Sequence, residues 1–328
     1  MRPPRVLSGM QPSGLLHLGN LFGALDNFTR LQAEHECFYF VADWHALSTN
    51  YEDTTRLREY TRDVLIDWLA AGLDPERATL FIQSRVPDHA VLHLLLSMMT
   101  PVSWLERTPT YKEKQENIEW RDLSTYGFLG YPMLQTADIL LYKGNLVPVG
   151  VDQLPHLELS REIARRFNQL YRPVFPEPQA LLTEMPKVPG TDGRKMSKSY
   201  HNTITLADPE ATVRAKLKTM VTDPARIRRA DVGNPDVCPV FTLHKTSSAP
   251  PIIAQVNQDC RTAAIGCIDC KKLLADGLVV RLTPIWDKRR ELAEHPTLVD
   301  EISDAGATKA RAVARDTIAE VSDAMRIG

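Results

Sequence analysis

The sequence lacks the features of membrane, secreted and strongly charged proteins. No apolar run approaches the roughly 18 residues of a membrane span. The first residues, Met-Arg-Pro-Pro-Arg-Val-Leu-Ser-Gly, have no apolar core like that of a secretory signal. Neither charge is in excess, because 39 Lys and Arg residues face 41 Asp and Glu residues and leave a formal net charge of −2. We therefore expect a cytoplasmic protein with no membrane partner, on which a nucleic acid would have to bind local basic patches.

Cysteine is scarce, and four of the five cysteines are clustered. Cys37 stands alone, whereas Cys238, Cys260, Cys267 and Cys270 fall within one short stretch. An odd number of cysteines in a cytoplasmic chain argues against structural disulfides and favours metal ligation by these four. Four thiolates suit zinc and a [4Fe–4S] cluster equally by ligand type. Ordinary buried thiols are the alternative.

The first half of the chain alternates strand and helix patterns. Short apolar runs predict strands at residues 5–8, 38–42, 78–82 and 146–150. Helical patterns lie at residues 21–31, 54–73 and 157–171. Strands joined by such crossovers predict an α/β fold with a Rossmann-like parallel sheet, whose ligands bind at the carboxyl ends of the strands.

Strand patterns fade after Asp208, and helical patterns dominate residues 209–220 and 271–325. A length of 328 residues suggests two domains. We expect a catalytic domain over residues 1–204 and a mostly helical domain over residues 205–328, whose final helices can pack back on the first.

The turn between the first predicted strand and helix has the composition of a phosphate site. It reads Gly9-Met10-Gln11-Pro12-Ser13-Gly14-Leu15-Leu16-His17-Leu18-Gly19-Asn20. Its glycines let the backbone approach a bulky ligand, and the following helix N-terminus presents free N–H groups to phosphate. His17 can donate a hydrogen bond to a phosphate oxygen. A plain loop is the alternative.

A second loop carries paired cations. It reads Pro189-Gly190-Thr191-Asp192-Gly193-Arg194-Lys195-Met196-Ser197-Lys198-Ser199. Lys195 and Lys198 are three residues apart among small residues, so both ammonium groups can reach one polyphosphate. Cations placed where charge develops on a leaving pyrophosphate accelerate its displacement. A solvated basic turn is the alternative.

Together these strings resemble the signatures of class I aminoacyl-tRNA synthetases. The two strings that match the class signatures are His17-Leu18-Gly19-Asn20 and Lys195-Met196-Ser197-Lys198-Ser199. Further strings are similar to those of the bacterial tryptophanyl-tRNA synthetases, and the resemblance runs over essentially the whole chain. These strings are Gln11-Pro12-Ser13-Gly14, Tyr131-Pro132, Ala137-Asp138-Ile139-Leu140-Leu141-Tyr142 and Val147-Pro148-Val149-Gly150.

The resemblance implies a tryptophan–tRNA ligase. Such an enzyme condenses L-tryptophan with ATP, in the presence of Mg²⁺, to tryptophanyl-adenylate and pyrophosphate, and then transfers the amino acid to tRNA(Trp). It implies a homodimer as well, and an anticodon-side role for residues 205–328.

The resemblance also implies roles for individual residues. His17 would lie beside the α-phosphate, while Lys195, Lys198 and either Lys114 or Lys112 would reach the pyrophosphate. For tryptophan, Asp138 would receive the indole N–H, Tyr131 and Gln135 would face the amino group, and Gln153 would bind the polar end. Asp152 would hold the ribose. The implied ATP-binding residues are Gln11, Pro12, Ser13, Gly19, Asn20, Gly150, Val151, Asp152, Lys195, Met196, Ser197, Lys198 and Ser199.

Two residues depart from the pattern of the family. The general class signature ends in a second His where this chain has Asn20, a change that the tryptophan branch tolerates. The family usually has Glu before Asp152, where this chain has Val151. The charge missing beside the ribose could weaken the binding of ATP or alter the position of ATP in the site.

Elementary chemistry supports Asp138 as a reader of tryptophan. An indole offers one N–H donor and no acceptor. A buried carboxylate satisfies that donor, and phenylalanine would leave the carboxylate unpaired, which a site of this kind penalises heavily. The alternative is that Asp138 only caps a helix or forms a salt bridge.

The cysteine stretch and the basic residues around it complete the resemblance. Some bacterial tryptophanyl-tRNA synthetases carry a cluster in the C-terminal domain with cysteines in this arrangement. The resemblance therefore favours [4Fe–4S] over zinc at Cys238, Cys260, Cys267 and Cys270. A tRNA backbone needs several cations on one face, although most such charges lie on solvated helix faces. The candidates are Arg226, Arg228, Arg229, Lys271, Lys272, Lys288, Arg289 and Arg290.

Two rival functions stay open at this point. One is tyrosine specificity on the same fold, because Tyr131 and Asp138 could also accept a phenol. The other is an auxiliary paralogue that binds a partner instead of catalysing. Val151 favours this second rival, and the intact His17, Lys195 and Lys198 count against it.

Overall fold

The computed structural model describes residues 3–108, 125–182 and 188–328. In these residues five parallel strands form one sheet in the order β3-β2-β1-β4-β5. The strands are β1 (Arg5–Met10), β2 (Glu36–Val41), β3 (Ala78–Ile82), β4 (Leu146–Val149) and β5 (Gln179–Leu182). The α/β fold class with a parallel sheet and a helical C-terminal region is thus confirmed.

The central strands are covered on both faces. In β2 every residue from Cys37 to Val41 is buried, as an unbroken apolar run predicts for a strand inside a parallel sheet. Val6 of β1 lies between Cys37 of β2 and Leu146 of β4 in the register. Strand β1 is therefore the central strand of the sheet, with β2 and then β3 on one side and β4 and then β5 on the other.

Helices cover both faces of the sheet and form the C-terminal region. Helix α1 is continuous through three segments, Leu18–Asn20, the π-helical turn Leu21–Leu25 and Asp26–Leu31. The other helices are α2 (Asp43–Asn50), α3 (Leu57–Ala70), α4 (Asp88–Ser97), α5 (Val102–Glu106), α6 (Tyr126–Leu129), α7 (Tyr131–Leu141), α8 (Leu154–Leu170), α9 (Glu210–Thr219), α10 (Pro239–Ser247), α11 (Pro250–Arg261), α12 (Cys267–Glu294) and α13 (Pro296–Met325). None of the helices in the described residues is long and apolar enough to cross a membrane.

The four predicted strands and the predicted helices are present, with ends that shift by a few residues. Strand β5 was not predicted, because its four residues are half-buried or exposed and give no buried run. The predicted helix over residues 271–325 is two helices, since the chain breaks at His295 before Pro296.

The last two helices pack on the first half of the chain. Helix α12 packs on α3, and α13 packs on β3 and α4. Gly306 of α13 lies so close to Leu80 that a Cβ there would meet the Leu80 carbonyl oxygen at 1.9 Å. The division of the chain near residue 205 stays a prediction.

Candidate functional site

A cavity opens at the carboxyl ends of β1 and β4, where the chain order of the sheet reverses. Open α/β sheets bind ligands at this point. The cavity has a volume of about 320 Å³. The predicted site residues that line it are Gln11, Tyr131, Gln135, Asp138, Gly150, Asp152, Gln153 and Lys195.

His17 is held in one tautomer by the start of helix α1. Its ring Nδ1 accepts a 3.1 Å hydrogen bond from the Gly19 backbone N–H. The backbone N–H of His17 donates to Asn20 Oδ1 at 3.0 Å. Burial, followed by the charges of Lys198 and Lys195, lowers the pKa of His17 to about 4. At neutral pH the ring is therefore uncharged, with its proton on Nε2 and a donor left for a ligand.

The loop of paired lysines is organised by a residue that sequence reasoning missed. Asn202 is buried, and its Oδ1 accepts from the Ser197 N–H at 2.8 Å. Its Nδ2 donates to Asp192 Oδ1 at 2.7 Å and to the Lys195 carbonyl at 3.2 Å. A Cβ at Gly190 would lie 2.2 Å from the Asn202 amide, so the loop requires glycine there. No motif contains Asn202, because it follows the lysine string and acts by folding back on it.

Lys198 joins this loop to the first one. Its Nζ donates to the Gly14 carbonyl at 2.8 Å and lies 3.3 Å from Ser13 Oγ. Burial lowers the pKa of Lys198 to about 8, and the Asp67 carboxylate opposes that change. Lys195 lines the cavity and is exposed. The structure therefore brings Lys195 and Lys198 into the electrostatic neighbourhood of His17, and of these three residues Lys195 is the one that lines the cavity.

Other predicted ATP residues lie apart from the cavity. Pro12 and Ser13 line a neighbouring cavity of about 190 Å³. The Met196 side chain is buried in the core, its N–H donating to the Val188 carbonyl, whereas Val151 is 72% exposed. Lys112 and Lys114 lie outside the described residues.

Asp138 is the centre of a buried polar network at the other end of the cavity. Its Oδ1 accepts from Gln83 Nε2 at 2.8 Å and lies 2.7 Å from His89 Nδ1. Its Oδ2 lies 2.7 Å from His45 Nε2. His89 Nε2 in turn lies 2.8 Å from the Tyr142 hydroxyl. Sequence reasoning missed the three partners His45, Gln83 and His89, because they come from separate elements and no motif contains them.

The network keeps Asp138 ionised. Burial by itself would raise the pKa of this carboxyl, but the charges and hydrogen bonds of His45 and His89 outweigh it and hold the pKa below its ordinary value. A carboxylate oxygen accepts two hydrogen bonds, and Oδ2 has one partner among the described residues. Asp138 can therefore accept one further N–H from a ligand in the cavity.

Aromatic and amide side chains surround the same end of the cavity. Tyr131 lies edge-on to His45, with ring centroids 4.9 Å apart, and burial raises its pKa to about 12. Gln135 Oε1 is buried without a hydrogen-bond partner among the described residues. Gln153 Nε2 donates to Asp152 Oδ2 at 3.1 Å. A ligand with a flat apolar body and a polar end fits this set of groups.

The four clustered cysteines line one small cavity in the helical region. The cavity has a volume of about 20 Å³, room for about one water molecule. Arg226 Nη1 lies 3.7 Å from Cys260 Sγ, and burial raises the pKa of Cys270 to about 12. The described residues contain no group of three or more His, Cys, Asp or Glu side chains that could hold a metal ion. Four thiols are a donor set common to zinc and a [4Fe–4S] cluster, and the cavity would have to widen to hold either.

Most of the basic residues near the cysteines already have partners within the chain. Arg226 is buried and donates to the Ile265 carbonyl at 2.8 Å. Arg229 donates to the Ala263 carbonyl at 2.7 Å, and Lys271 to the Lys218 carbonyl at 3.0 Å. Lys288 pairs with Glu291, Arg290 with Asp287, and Arg289 with Asp63 and Asp67.

Comparisons with known proteins agree with this geometry. The model of the family described as "tRNA synthetases class I (W and Y)" matches residues 1–283. The tryptophan–tRNA ligase of Thermotoga maritima is 54% identical over 98% of this chain and 99% of its own. That of Aquifex aeolicus is 44% identical over 98% of this chain and 100% of its own. The crystal structure of Campylobacter jejuni tryptophanyl-tRNA synthetase complexed with ADP and tryptophan superposes with a TM-score of 0.90 at 33% identity, over 98% of this chain and 100% of that one.

Proposed function

The chain belongs to the class I tRNA synthetases for tryptophan and tyrosine, and we propose that it is a tryptophan–tRNA ligase. It activates L-tryptophan with ATP to tryptophanyl-adenylate and pyrophosphate, and then transfers the amino acid to tRNA(Trp). One observation carries the chemistry: a single cavity joins the Lys195 ammonium, which lies in the electrostatic neighbourhood of His17, to the buried Asp138 carboxylate beside Tyr131.

The first step is displacement at phosphorus. The tryptophan carboxylate attacks the α-phosphate of ATP, the bond to the bridging oxygen breaks, and pyrophosphate leaves with that bond's electron pair. His17 Nε2–H donates to an α-phosphate oxygen, while Lys195 and Lys198 stabilise the charge that grows on the leaving group. A lysine at 112 or 114 would add to this set. No covalent enzyme intermediate is formed.

The second step releases AMP. A hydroxyl of the 3′-terminal ribose of the tRNA attacks the carbonyl carbon of the adenylate and forms the ester bond. The bond from that carbon to the phosphate oxygen breaks, AMP leaves with its electron pair, and the hydroxyl proton is released to the AMP phosphate or to water. We infer that Asp152 holds the ATP ribose. Gly150 leaves room for the Asp152 carboxylate, since a Cβ at Gly150 would lie 2.6 Å from Asp152 Oδ1. The other residues that we assign to the ATP site are Gln11, Pro12, Ser13, Gly19, Asn20, Val151, Met196, Ser197 and Ser199.

Tryptophan is recognised at the Asp138 end of the cavity. The indole N–H donates to Asp138 Oδ2, the oxygen with spare capacity. Tyr131 and Gln135 face the amino group, and Gln153 binds the polar end of the amino acid. Gln135 supports this assignment, because its buried Oε1 is an acceptor without a partner in the described chain.

Pyrophosphate exchange tests the assignment of tryptophan against tyrosine. We expect exchange of labelled pyrophosphate into ATP that depends on tryptophan, and at least about 10³-fold lower kcat/KM for tyrosine, because a phenol places its hydroxyl away from the indole N–H position. Exchange with tyrosine as fast as with tryptophan would assign the chain to tyrosine. The absence of exchange with either amino acid would favour a binding protein.

Mg²⁺ and a [4Fe–4S] cluster are the cofactors that we propose. Mg²⁺ enters on the ATP phosphates, where it is usually bound by the substrate and few protein groups. The cluster would be held by Cys238, Cys260, Cys267 and Cys270, whose thiols surround one cavity. When bound it supplies a structural tie between α10, α11 and α12, and the adenylation chemistry does not involve it.

Metal analysis of protein purified without oxygen tests the cluster. A brown protein with about four iron and four sulfide per chain is expected, and Cys267→Ser should bleach it. Aminoacylation should fall in this variant while pyrophosphate exchange survives, because the cysteine cavity is built by the C-terminal helices. A content of one zinc per chain would show that these cysteines form a zinc site and not a cluster site. If the protein contains no metal and the Cys267→Ser variant is fully active, these cysteines are ordinary buried thiols.

The proposed partners are tRNA(Trp) and a second copy of the chain in the cytoplasm. Helix α4 presents Val91 and Leu94 to solvent, Met98 at its C-cap continues the same helical spacing, and Val102 of α5 is exposed as well. Apolar faces of this kind favour an interface. A sedimentation experiment should give twice the chain mass, and Leu94→Glu with Met98→Glu should give the monomer. A parent that sediments at the chain mass would refute the dimer.

A further inference from the structure

The His89 ring of helix α4 bridges two side chains that lie one turn apart on its neighbour α7. Its Nδ1 lies 2.7 Å from Asp138 Oδ1, and its Nε2 lies 2.8 Å from the hydroxyl of Tyr142 at the C-cap of α7. Side chains four positions apart share one face of a helix, and α4 packs on α7. His89 and Tyr142 are fully buried, and neither lines the cavity that holds the proposed tryptophan site.

The protons along this chain of contacts have one arrangement. Asp138 is ionised and only accepts, so His89 Nδ1 carries the proton that lies between them. The neutral ring then has a lone pair on Nε2, which accepts from the Tyr142 hydroxyl. A charged ring would donate from Nε2 as well, and the Tyr142 hydroxyl hydrogen would have no acceptor among the described residues. Burial raises the pKa of Tyr142 well above its ordinary value, so the hydroxyl keeps the proton that it donates.

The two oxygens of Asp138 have different surroundings. Oδ1 accepts from Gln83 Nε2 at 2.8 Å and from His89, which fills both of its acceptor positions. Gln83 is fully buried and, like His89, does not line the cavity. Oδ2 has one partner among the described residues, His45, and His45 lines the cavity. The carboxylate is therefore held through the oxygen on the protein side, and its open position is on the other oxygen.

We propose that His89, held by Tyr142, is a positioning residue that sets specificity for tryptophan. Together with Gln83 it fixes the rotation of the Asp138 carboxylate, so that the free lone pair of Oδ2 points at the indole N–H. This role rests on the proposed ligase activity and deepens it. Discrimination between a ring with an N–H donor and a ring without one is then set by groups that do not touch the substrate.

The torsion of a carboxylate has broad minima, so it needs such restraint. When both donors hold Oδ1, a ligand without an N–H leaves an acceptor position of Oδ2 unpaired in the interior, and the site rejects that ligand. When His89 is lost, Oδ1 has a single donor and the carboxylate can turn. It then satisfies its oxygens in other ways, and the penalty on the wrong ligand falls.

A purely structural role makes a different prediction. The rings of His89 and Tyr142 lie 5.3 Å apart, and Tyr142 stacks on Phe38 at 5.0 Å, so both also fill the core. If they did nothing else, their loss would lower the melting temperature and would affect all aromatic amino acids alike. If they hold the carboxylate, the loss falls on the ligand that has the N–H.

The test compares tryptophan with its benzothiophene analogue, in which sulfur replaces the indole N–H in a ring of nearly the same shape. The readout is the ratio of the two kcat/KM values in pyrophosphate exchange, with the KM for ATP and the melting temperature beside it. We expect His89→Leu to lower this ratio by about 10-fold, the scale of one buried hydrogen bond to a charged group. His89→Asn keeps an N–H donor near the position of Nδ1 and should recover most of the ratio. The KM for ATP should stay at the parent value.

A double-mutant cycle tests whether Tyr142 acts through His89. Tyr142→Phe keeps the ring, removes the hydroxyl and should lower the ratio by about 3-fold, the scale of one neutral hydrogen bond. In the His89→Leu background it should change nothing, because coupled residues are not additive. Thr136→Val is the control: it removes another buried hydroxyl of α7, whose partners are the Pro132 carbonyl and Ser160, and it should keep the parent's ratio.

A ratio that stays at the parent value in both His89→Leu and Tyr142→Phe would overturn the proposal, even if the melting temperature falls. Should His89→Leu fail to fold, Tyr142→Phe decides alone, because its ring still fills the core. Equal effects of Tyr142→Phe in both backgrounds would remove Tyr142 from the assignment. A parent that binds tryptophan without exchanging pyrophosphate refutes the ligase activity only, and the same ratio taken from dissociation constants then decides the role of His89. A parent that does not bind tryptophan overturns both.

Discussion

The ammonium of Lys198 donates a 2.8 Å hydrogen bond to the carbonyl of Gly14, 184 positions earlier in the chain. The two loops that we assign to phosphate binding are therefore joined to each other without a nucleotide. An ammonium has three N–H donors, so a contact with Gly14 and one with Ser13 leave one donor for a phosphate oxygen. Lys195 has a simpler position, because it is exposed at the cavity wall.

Removing either lysine should slow adenylate formation. We expect Lys195→Ala and Lys198→Ala each to lower the single-turnover rate by about 10²-fold, the scale of losing one preorganised charge contact. The dissociation constant for tryptophan should barely change, because these groups act on the leaving pyrophosphate. Lys198→Ala should also lower the melting temperature, since it breaks the link to Gly14. Lys309→Ala, an exposed lysine of α13, serves as the control, and an equal loss of tryptophan binding would show that the loop is structural.

Asp138→Asn should weaken tryptophan binding and selectivity together. The amide would turn an N–H group toward a position where the indole N–H needs an acceptor. We expect the KM for tryptophan to rise by about 10²-fold and discrimination against phenylalanine to fall, because the penalty for an unpaired acceptor disappears. The KM for ATP is the internal control and should stay near the parent value. Discrimination equal to the parent's would mean that the indole is recognised elsewhere.

The pH profile should show no acid limb from His17 near pH 6.5. With a pKa of about 4 in the folded protein, His17 stays neutral, whereas in the unfolded chain it protonates near its ordinary value of 6.5. Its contribution to stability is therefore present above pH 6.5 and is lost as the pH falls toward 4. Measuring kcat/KM for ATP between pH 5 and pH 9.5 in the parent and in His17→Asn checks this. An acid limb near pH 6.5 that disappears in the variant would contradict it.

Gly306→Ala should destabilise the fold far more than Gly277→Ala. A Cβ at Gly306 would lie 1.9 Å from the Leu80 carbonyl oxygen, so helix and strand must separate, at a cost on the order of 3 kcal/mol. A Cβ at Gly277 of α12 would lie no closer than 3.8 Å to Ser248 Oγ, and alanine should stabilise that helix by about 0.5–1 kcal/mol. Urea unfolding of both variants measures the difference. Equal stability would show that α13 does not press on β3 as described.

Sequence patterns predicted the parts of the site that are contiguous along the chain. His17, Lys195 and Lys198 belong to strings whose composition and spacing already suit a polyphosphate, and the apolar run of β1 placed the His17 string at the sheet. Asn202 could not be selected in this way, because it lies outside the lysine string and acts by folding back on it.

The partners of Asp138 show the same limit. His45, Gln83 and His89 lie 93, 55 and 49 positions away from it. They come from three different elements, and none has a local pattern that separates it from any other buried polar residue. The sequence predicted a carboxylate that accepts the indole N–H, and the structure adds the three groups that make such a carboxylate tolerable in the interior.

The packing of α13 on β3 has a consequence for the growing chain. Strand β3 is an outer strand of the sheet, and the helix that covers it is the last element in the described part of the chain. At about 5–20 residues per second, the ribosome needs on the order of tens of seconds to proceed from β3 to the end of α13. Throughout that time the nascent sheet has an uncovered outer strand, the kind of surface that pairs with other chains. Emergence of α13 from the ribosome, rather than completion of the sheet, is then the moment at which β3 is protected from pairing with other chains.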